Sequence, residues 1–137
     1  MFLKEYNQTQ TPGSTIIVTN EGTRPLLVEI QALVGTTPYP TPRRVANGVD
    51  LSRVLQILAV LEKRIGLNLS KQDVYVNVVG GIKITEPASD LAVAMAIISS
   101  YKSIPVKPGS IFIGELALTG EVRSVTKDFE SWFQVTI

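Results

Sequence analysis

Apolar and polar positions along the chain follow two periods, and each predicts its own elements. Residues 14–20 (STIIVTN) are rich in β-branched side chains and predict a strand. Residues 26–34 (LLVEIQALV) alternate: Val28, Ile30 and Ala32 share one face, Glu29 and Gln31 the other. Residues 73–79 (DVYVNVV) alternate again, with Val74, Val76 and Val78 opposed to Tyr75 and Asn77. The period changes after Asp50. Leu51, Val54, Leu55, Leu58, Leu61 and Ile65 recur at helical spacing and predict a core-facing stripe, opened by Asp50 as cap and stopped by Gly66. A second helix is predicted over residues 87–100, where Pro87 suits the first turn. Residues 91–98 are apolar nearly all round, so this helix is expected to be buried on more than one side. Residues 111–118 and 121–125 read as strands joined tightly through Thr119-Gly120.

The predicted order is β-β-α-β-α-β-β, an α/β fold built on a mixed sheet (α+β). Thr11-Pro12-Gly13 is a turn signal. It divides an arm, or the remnant of a linker from an upstream core, over residues 1–13 from a domain over 14–137. Pro38, Pro40 and Pro42 stand at alternate positions and exclude a sheet interior. They predict a stiff extended loop over residues 35–44 that ends in Arg43-Arg44. Gly80-Gly81 closes the third strand.

The 137 residues fit one domain, long enough to bury a core without staples. The chain has no cysteine, which excludes disulfides, a thiolate zinc site and a cysteine nucleophile. It has no histidine, which excludes a Ser-His-Asp triad. The longest apolar run, residues 91–98, is too short for a membrane span, and the first residues lack a signal-peptide pattern, so a cytoplasmic domain is expected. The net charge of +1 hides an uneven distribution. Residues 43–83 hold seven basic and three acidic side chains, whereas residues 84–137 hold four and six. The basic middle suggests an anionic partner. Arg43-Arg44, two guanidinium groups on a rigid loop, is the strongest candidate for a phosphate contact.

Other chemistry is sparse. No G-x-x-x-x-G-K-[ST] loop occurs, and Gly80-Gly81-Ile82-Lys83 lacks its spacing and its Ser/Thr, so no ATP hydrolysis is expected. Glu86 and Asp90, four apart near a helix start, read as acids at a helix N-terminus rather than as a magnesium site. Ser89 is the serine with the most suggestive setting for nucleophilic chemistry, but it reads first as a helix cap.

Several runs resemble one family. They are EGTRPLLVEIQALV (21–34), PRR (42–44), LAVLEKR (58–64), DVYVNVVGG (73–81), EPASDLAVA (86–94) and LTGEVR (118–123). Together they resemble the C-terminal Lon-protease-like domain of the RadA (Sms) family of bacterial DNA-repair proteins, over about residues 12–125. The resemblance implies a Lon-type fold and a role in DNA repair and recombination. The parent would be an ATPase acting as a hexameric ring, whose zinc finger and ATP/magnesium-binding core lie outside this sequence. Active Lon proteases carry Pro-Ser-Ala-Gly at the start of this helix. Pro87 matches the proline, so the nucleophile position falls on Ala88, and the lysine position, counted from Gly120, falls on Phe129. A non-catalytic domain is therefore implied, without cofactor or metal. A shifted dyad of Ser89 and Lys127 is the alternative that would keep peptidase activity. A purely structural ring-forming module is another, since the alanine-rich second helix suits a subunit contact. Arg43, Arg44, Arg53, Lys63, Arg64 and Lys83 are the expected contacts to the DNA backbone. The sequence leaves the RadA pattern after Val125, so either a truncated C-terminus or an unusual one is expected.

Overall fold

The computed structural model describes residues 11–123. Strands β1 (Ser14–Glu21) and β2 (Arg24–Thr36) form an antiparallel hairpin, turned by Gly22 at a φ of 65°. Strand β3 (Arg44–Asn47) leads into helix α1 (Leu51–Val60), which continues as a π-helical turn over Leu61–Ile65. Gly66 ends it at a φ of 86°, as its position predicts. Strand β4 (Gln72–Val78) follows, then a 3-10 turn at Pro87–Ser89, helix α2 (Asp90–Lys102), and the short strands β5 (Glu115–Leu116) and β6 (Val122–Arg123). The main sheet runs β1-β2-β4-β3, with β2 antiparallel to β4 and β3 parallel to β4.

The core lies between one face of this sheet and the two helices. Ile17, Val28, Ile30, Val74, Val76 and Val78 meet Val54, Ile57, Leu58, Ala92, Val93, Ala96 and Ile97. The alternation predicted for β2 and β4 therefore holds residue by residue. Helix α2 is buried around most of its circumference, and its alanines let it lie close to the sheet. A smaller apolar cluster of Ile16, Val18, Ala88, Ile111 and Ile113 packs on the other side of β1.

The structure corrects the predicted order and boundaries in four places. The order is β-β-β-α-β-α-β-β, because β3 precedes α1. Its four residues carry too little alternation to declare a strand, and only the parallel pairing with β4 makes them one. The core stripe of α1 is rotated from the predicted one. Val54, Ile57, Leu58, Val60 and Leu61 are buried, whereas Leu51 and Leu55 are 41% and 45% exposed and Ile65 is also exposed. Asp50 occupies the N-cap position, but its carboxylate accepts the Ser52 hydroxyl at 2.5 Å instead of a helix N–H. The predicted strand over 111–118 is split. Ile111 bridges to Ile16 in parallel, Gly114 bonds through its N–H and carbonyl to Ala88 and Leu91 at the start of α2, and only Glu115–Leu116 pairs with β6. Residues 124–125 of the last predicted strand lie outside the described residues.

Candidate nucleic-acid interface

The β3-α1-β4 crossover divides the six expected DNA contacts between its two ends. Because α1 runs back against two parallel strands, its last turn lies at the end where β3 and β4 begin. Arg43, Arg44, Lys63 and Arg64 belong to that end, with Lys71 just before β4. Arg53 and Lys83 belong to the opposite end, where α1 and α2 start.

The two adjacent arginines have different surroundings. Arg43 is exposed, and its guanidinium carbon stands 4.1 Å from the centre of the Tyr39 ring, a cation–π contact. Its backbone N–H donates to Asp73 Oδ1 at 2.7 Å, which fixes the end of the proline loop on β4. The guanidinium is held above the ordinary arginine value, first by hydrogen bonding with Tyr75 and then by the charge interaction with Tyr39. Arg44 is half-buried. Its Nη1 donates to the Gln72 carbonyl at 2.6 Å and its Nη2 to the Leu69 carbonyl at 2.8 Å. That guanidinium ties the connection after α1 to the start of β3, so part of its donor set is engaged within the fold.

Arg53 has a structural partner that the sequence does not announce. Its Nε donates to Asp90 Oδ1 at 2.8 Å and its Nη2 pairs with Asp90 Oδ2, a bidentate arrangement. Asp90 is 0% exposed, and Oδ2 also accepts the Leu116 N–H at 3.0 Å. Glu115 adds a carboxylate 3.8 Å from Arg53 Nη2. These contacts join α1, α2 and β5. The bond to Asp90 is the main reason the Arg53 guanidinium lies above its ordinary value. Lys83 is exposed on the rim of the adjoining groove of about 560 Å³, which Gly48, Asp50, Glu86 and Ser89 also line. Lys63 and Arg64 are exposed, and Arg64 Nε makes a long bond of 3.4 Å to the Leu118 carbonyl.

Two of the positions singled out by the expected Lon comparison, Ala88 and Ser89, stand just before α2. Ala88 is buried in the small apolar cluster beside Ile111 and Ile113. Ser89 is 5% exposed. It stands at the N-cap of α2 without a capping bond from its side chain, and its hydroxyl instead donates to the Glu86 carbonyl at 2.8 Å. Glu86 accepts the Thr19 hydroxyl at 2.8 Å, so Glu86 and Asp90 serve different partners. Phe129 and Lys127 lie outside the described residues. Among the described residues no three His, Cys, Asp or Glu side chains gather to hold a metal ion, and no helix is long and apolar enough to cross a membrane.

Sequence reasoning passed over Tyr39 and Tyr75 as site residues, although both sit beside Arg43. Tyr75 could have been found: it is the aromatic member of the outward set of β4. Tyr39 is visible only as an aromatic between two prolines.

The family model described as subunit ChlI of Mg-chelatase matches residues 48–135, and the chain belongs to that ChlI family. Its relatives carry a more particular name. The DNA repair protein RadA of Bacillus subtilis strain 168 is 51% identical over 127 residues, which are 93% of this chain and 28% of that protein. The DNA repair protein RadA of Streptococcus pneumoniae is 53% identical over 127 residues, 93% of this chain and 30% of that one. For the RadA of Listeria monocytogenes the figures are 53% over 115 residues, 84% and 25%. The chain thus spans less than a third of the length of these relatives.

Proposed function

We propose that this chain is a non-catalytic, Lon-protease-like domain of a RadA-type DNA-repair ATPase, which binds the DNA phosphate backbone and supports a hexameric ring. The similarity to RadA proteins over 93% of the chain carries this reading. Arg43, with Lys63, Arg64 and Lys71 at the same end of the β3-α1-β4 unit, supports the DNA role, because exposed cations on a fixed frame suit sequence-independent phosphate contacts. Lys83 adds a cation at the opposite end. Arg44 and Arg53 contribute through their exposed surfaces while holding the frame together. Leu51 and Leu55, exposed one turn apart on α1, suit a contact with a neighbouring subunit. Ala88 at the nucleophile position, and a Ser89 hydroxyl spent on the Glu86 carbonyl, support the absence of peptidase chemistry. ATP, magnesium and zinc belong to parts of the parent protein outside this sequence.

Fluorescence anisotropy with labelled single- and double-stranded DNA at two salt concentrations tests the DNA role. Wild type is expected to bind with a steep salt dependence. Arg43→Ala should weaken binding and flatten the slope of log K against log salt by about 0.7 on single strands. Absence of binding to either DNA at low salt would leave ring assembly as the function. Degradation of an unfolded protein substrate that is lost on Ser89→Ala would overturn the non-catalytic reading.

A further inference from the structure

The outer face of the sheet is organised in two rows that the phosphate reading does not use. Leu33, Tyr75 and Val45 are partners in register across β2, β4 and β3, and they form an apolar row with an aromatic ring at its centre. Leu33 is 64% exposed, Val45 is exposed and Tyr75 half-buried. Two residues along, Gln31, Asn77 and Asn47 are likewise in register and exposed, a row of carboxamides. A shallow groove of about 290 Å³ beside β2 is lined by Gln31, Leu33, Tyr75 and Asn77 together with Pro12 and Glu29. At the end where β3 and β4 begin, Tyr39 and Arg43 stand over one another, with exposed Lys71 nearby on the connection into β4.

Each part of this face suits an unpaired strand of nucleic acid better than a duplex. One side of the Arg43 guanidinium rests on Tyr39, which leaves its other side as a flat cationic surface for a base. Tyr75 and Leu33 offer further surface for stacking, which any base satisfies. Carboxamides both donate and accept, so the second row can meet base edges without demanding one sequence. Arg43 and Lys71 supply charge complementary to the phosphates. A duplex hides its base faces and could use only those cations.

We infer that the β2-β4-β3 face is a stacking platform for single-stranded nucleic acid, with bases laid against Tyr39-Arg43, Tyr75 and Leu33 and phosphates toward Arg43 and Lys71. The inference deepens the phosphate-binding proposal and rests on it.

The full chain is titrated into labelled oligothymidine, an abasic strand of equal length and a duplex. The abasic strand keeps the phosphates and removes the rings. Wild type should bind oligothymidine about tenfold more tightly than the abasic strand. Tyr39→Ala should remove most of that difference, with a much smaller loss on the duplex and, since no charge is removed, the same salt slope. Tyr39→Phe and Tyr75→Phe, which keep the rings, should retain it, and a far-UV spectrum checks folding of each variant. Equal affinity of wild type for thymidine and abasic strands, with both weakened by Arg43→Ala, overturns the platform and leaves phosphate binding standing. No affinity for any probe overturns both. Association of copies that Leu33→Lys abolishes, with thymidine binding unaltered, overturns it in favour of a protein contact.

Discussion

Arg43 and Arg44 are neighbours in sequence and unlike in consequence. Arg44 satisfies the backbone carbonyls of Leu69, before β4, and Gln72, its first residue, so Arg44→Ala should cost about 1–3 kcal/mol of unfolding free energy. Arg43 is exposed, with Tyr39 stacked against it and Tyr75 in hydrogen bonding with it, so Arg43→Ala should cost no more than about 1 kcal/mol. Urea unfolding of the two single variants checks the contrast. A difference in DNA affinity is therefore most cleanly read from Arg43 alone. Nothing in the dipeptide distinguishes the pair. Arg44 begins a strand and Arg43 ends a loop, and that boundary exists only because β4 is there to pair with. Ser89 was legible as a helix-start residue, but the partner of its hydroxyl depends on how Pro87 turns the chain.

Among the elements, β2 and β4 were legible because one face of each is buried and period two admits one assignment. Helix α1 was legible in extent and misread in face. Its leucines lie on both sides, so several stripes at spacings of three and four fit the sequence, and packing chooses among them. Ile57→Ala should cost about 2–5 kcal/mol, and Leu55→Ala should stay within about 0.5 kcal/mol, as thermal or urea unfolding would record. The link between α1, α2 and β5 makes a sharper prediction. Arg53→Met leaves the wholly buried Asp90 carboxylate without its cation and should cost about 3–5 kcal/mol. Asp90→Asn should cost less, because the amide oxygen still accepts the Leu116 N–H and Arg53 is partly exposed to water. Since the Arg53 guanidinium is held above its ordinary value, its contribution is complete below the unfolded-state value and is lost only as pH rises through the higher folded one. Moderate alkali should leave this link intact. Sequence offered Arg53 as a free cation and Asp90 as a helix-start acid, and a separation of 37 positions hid their meeting.

For the molecule as a whole, mixed α/β class was readable from the alternation of periods, whereas strand order was not. Order depends on which edges meet, and β3 enters it through four residues with little pattern of their own. Gly48 shows how closely that crossover is packed. It has a φ of 88°, a Cβ there would stand 2.6 Å from Val78 Cβ, and its carbonyl accepts the Ile84 N–H at 2.7 Å. Gly48→Ala should therefore lower the melting temperature, by the equivalent of about 1–3 kcal/mol for the strained backbone alone. The order β1-β2-β4-β3 also has a consequence for synthesis. The inner edge of β2 finds its partner only in β4, after residues 37–71 have been made. At roughly 5–20 residues per second, a ribosome leaves that edge open for a few seconds, with Leu33 and Val34 along it. A nascent chain arrested before Gln72 should accordingly be a better chaperone client than one arrested beyond Val79.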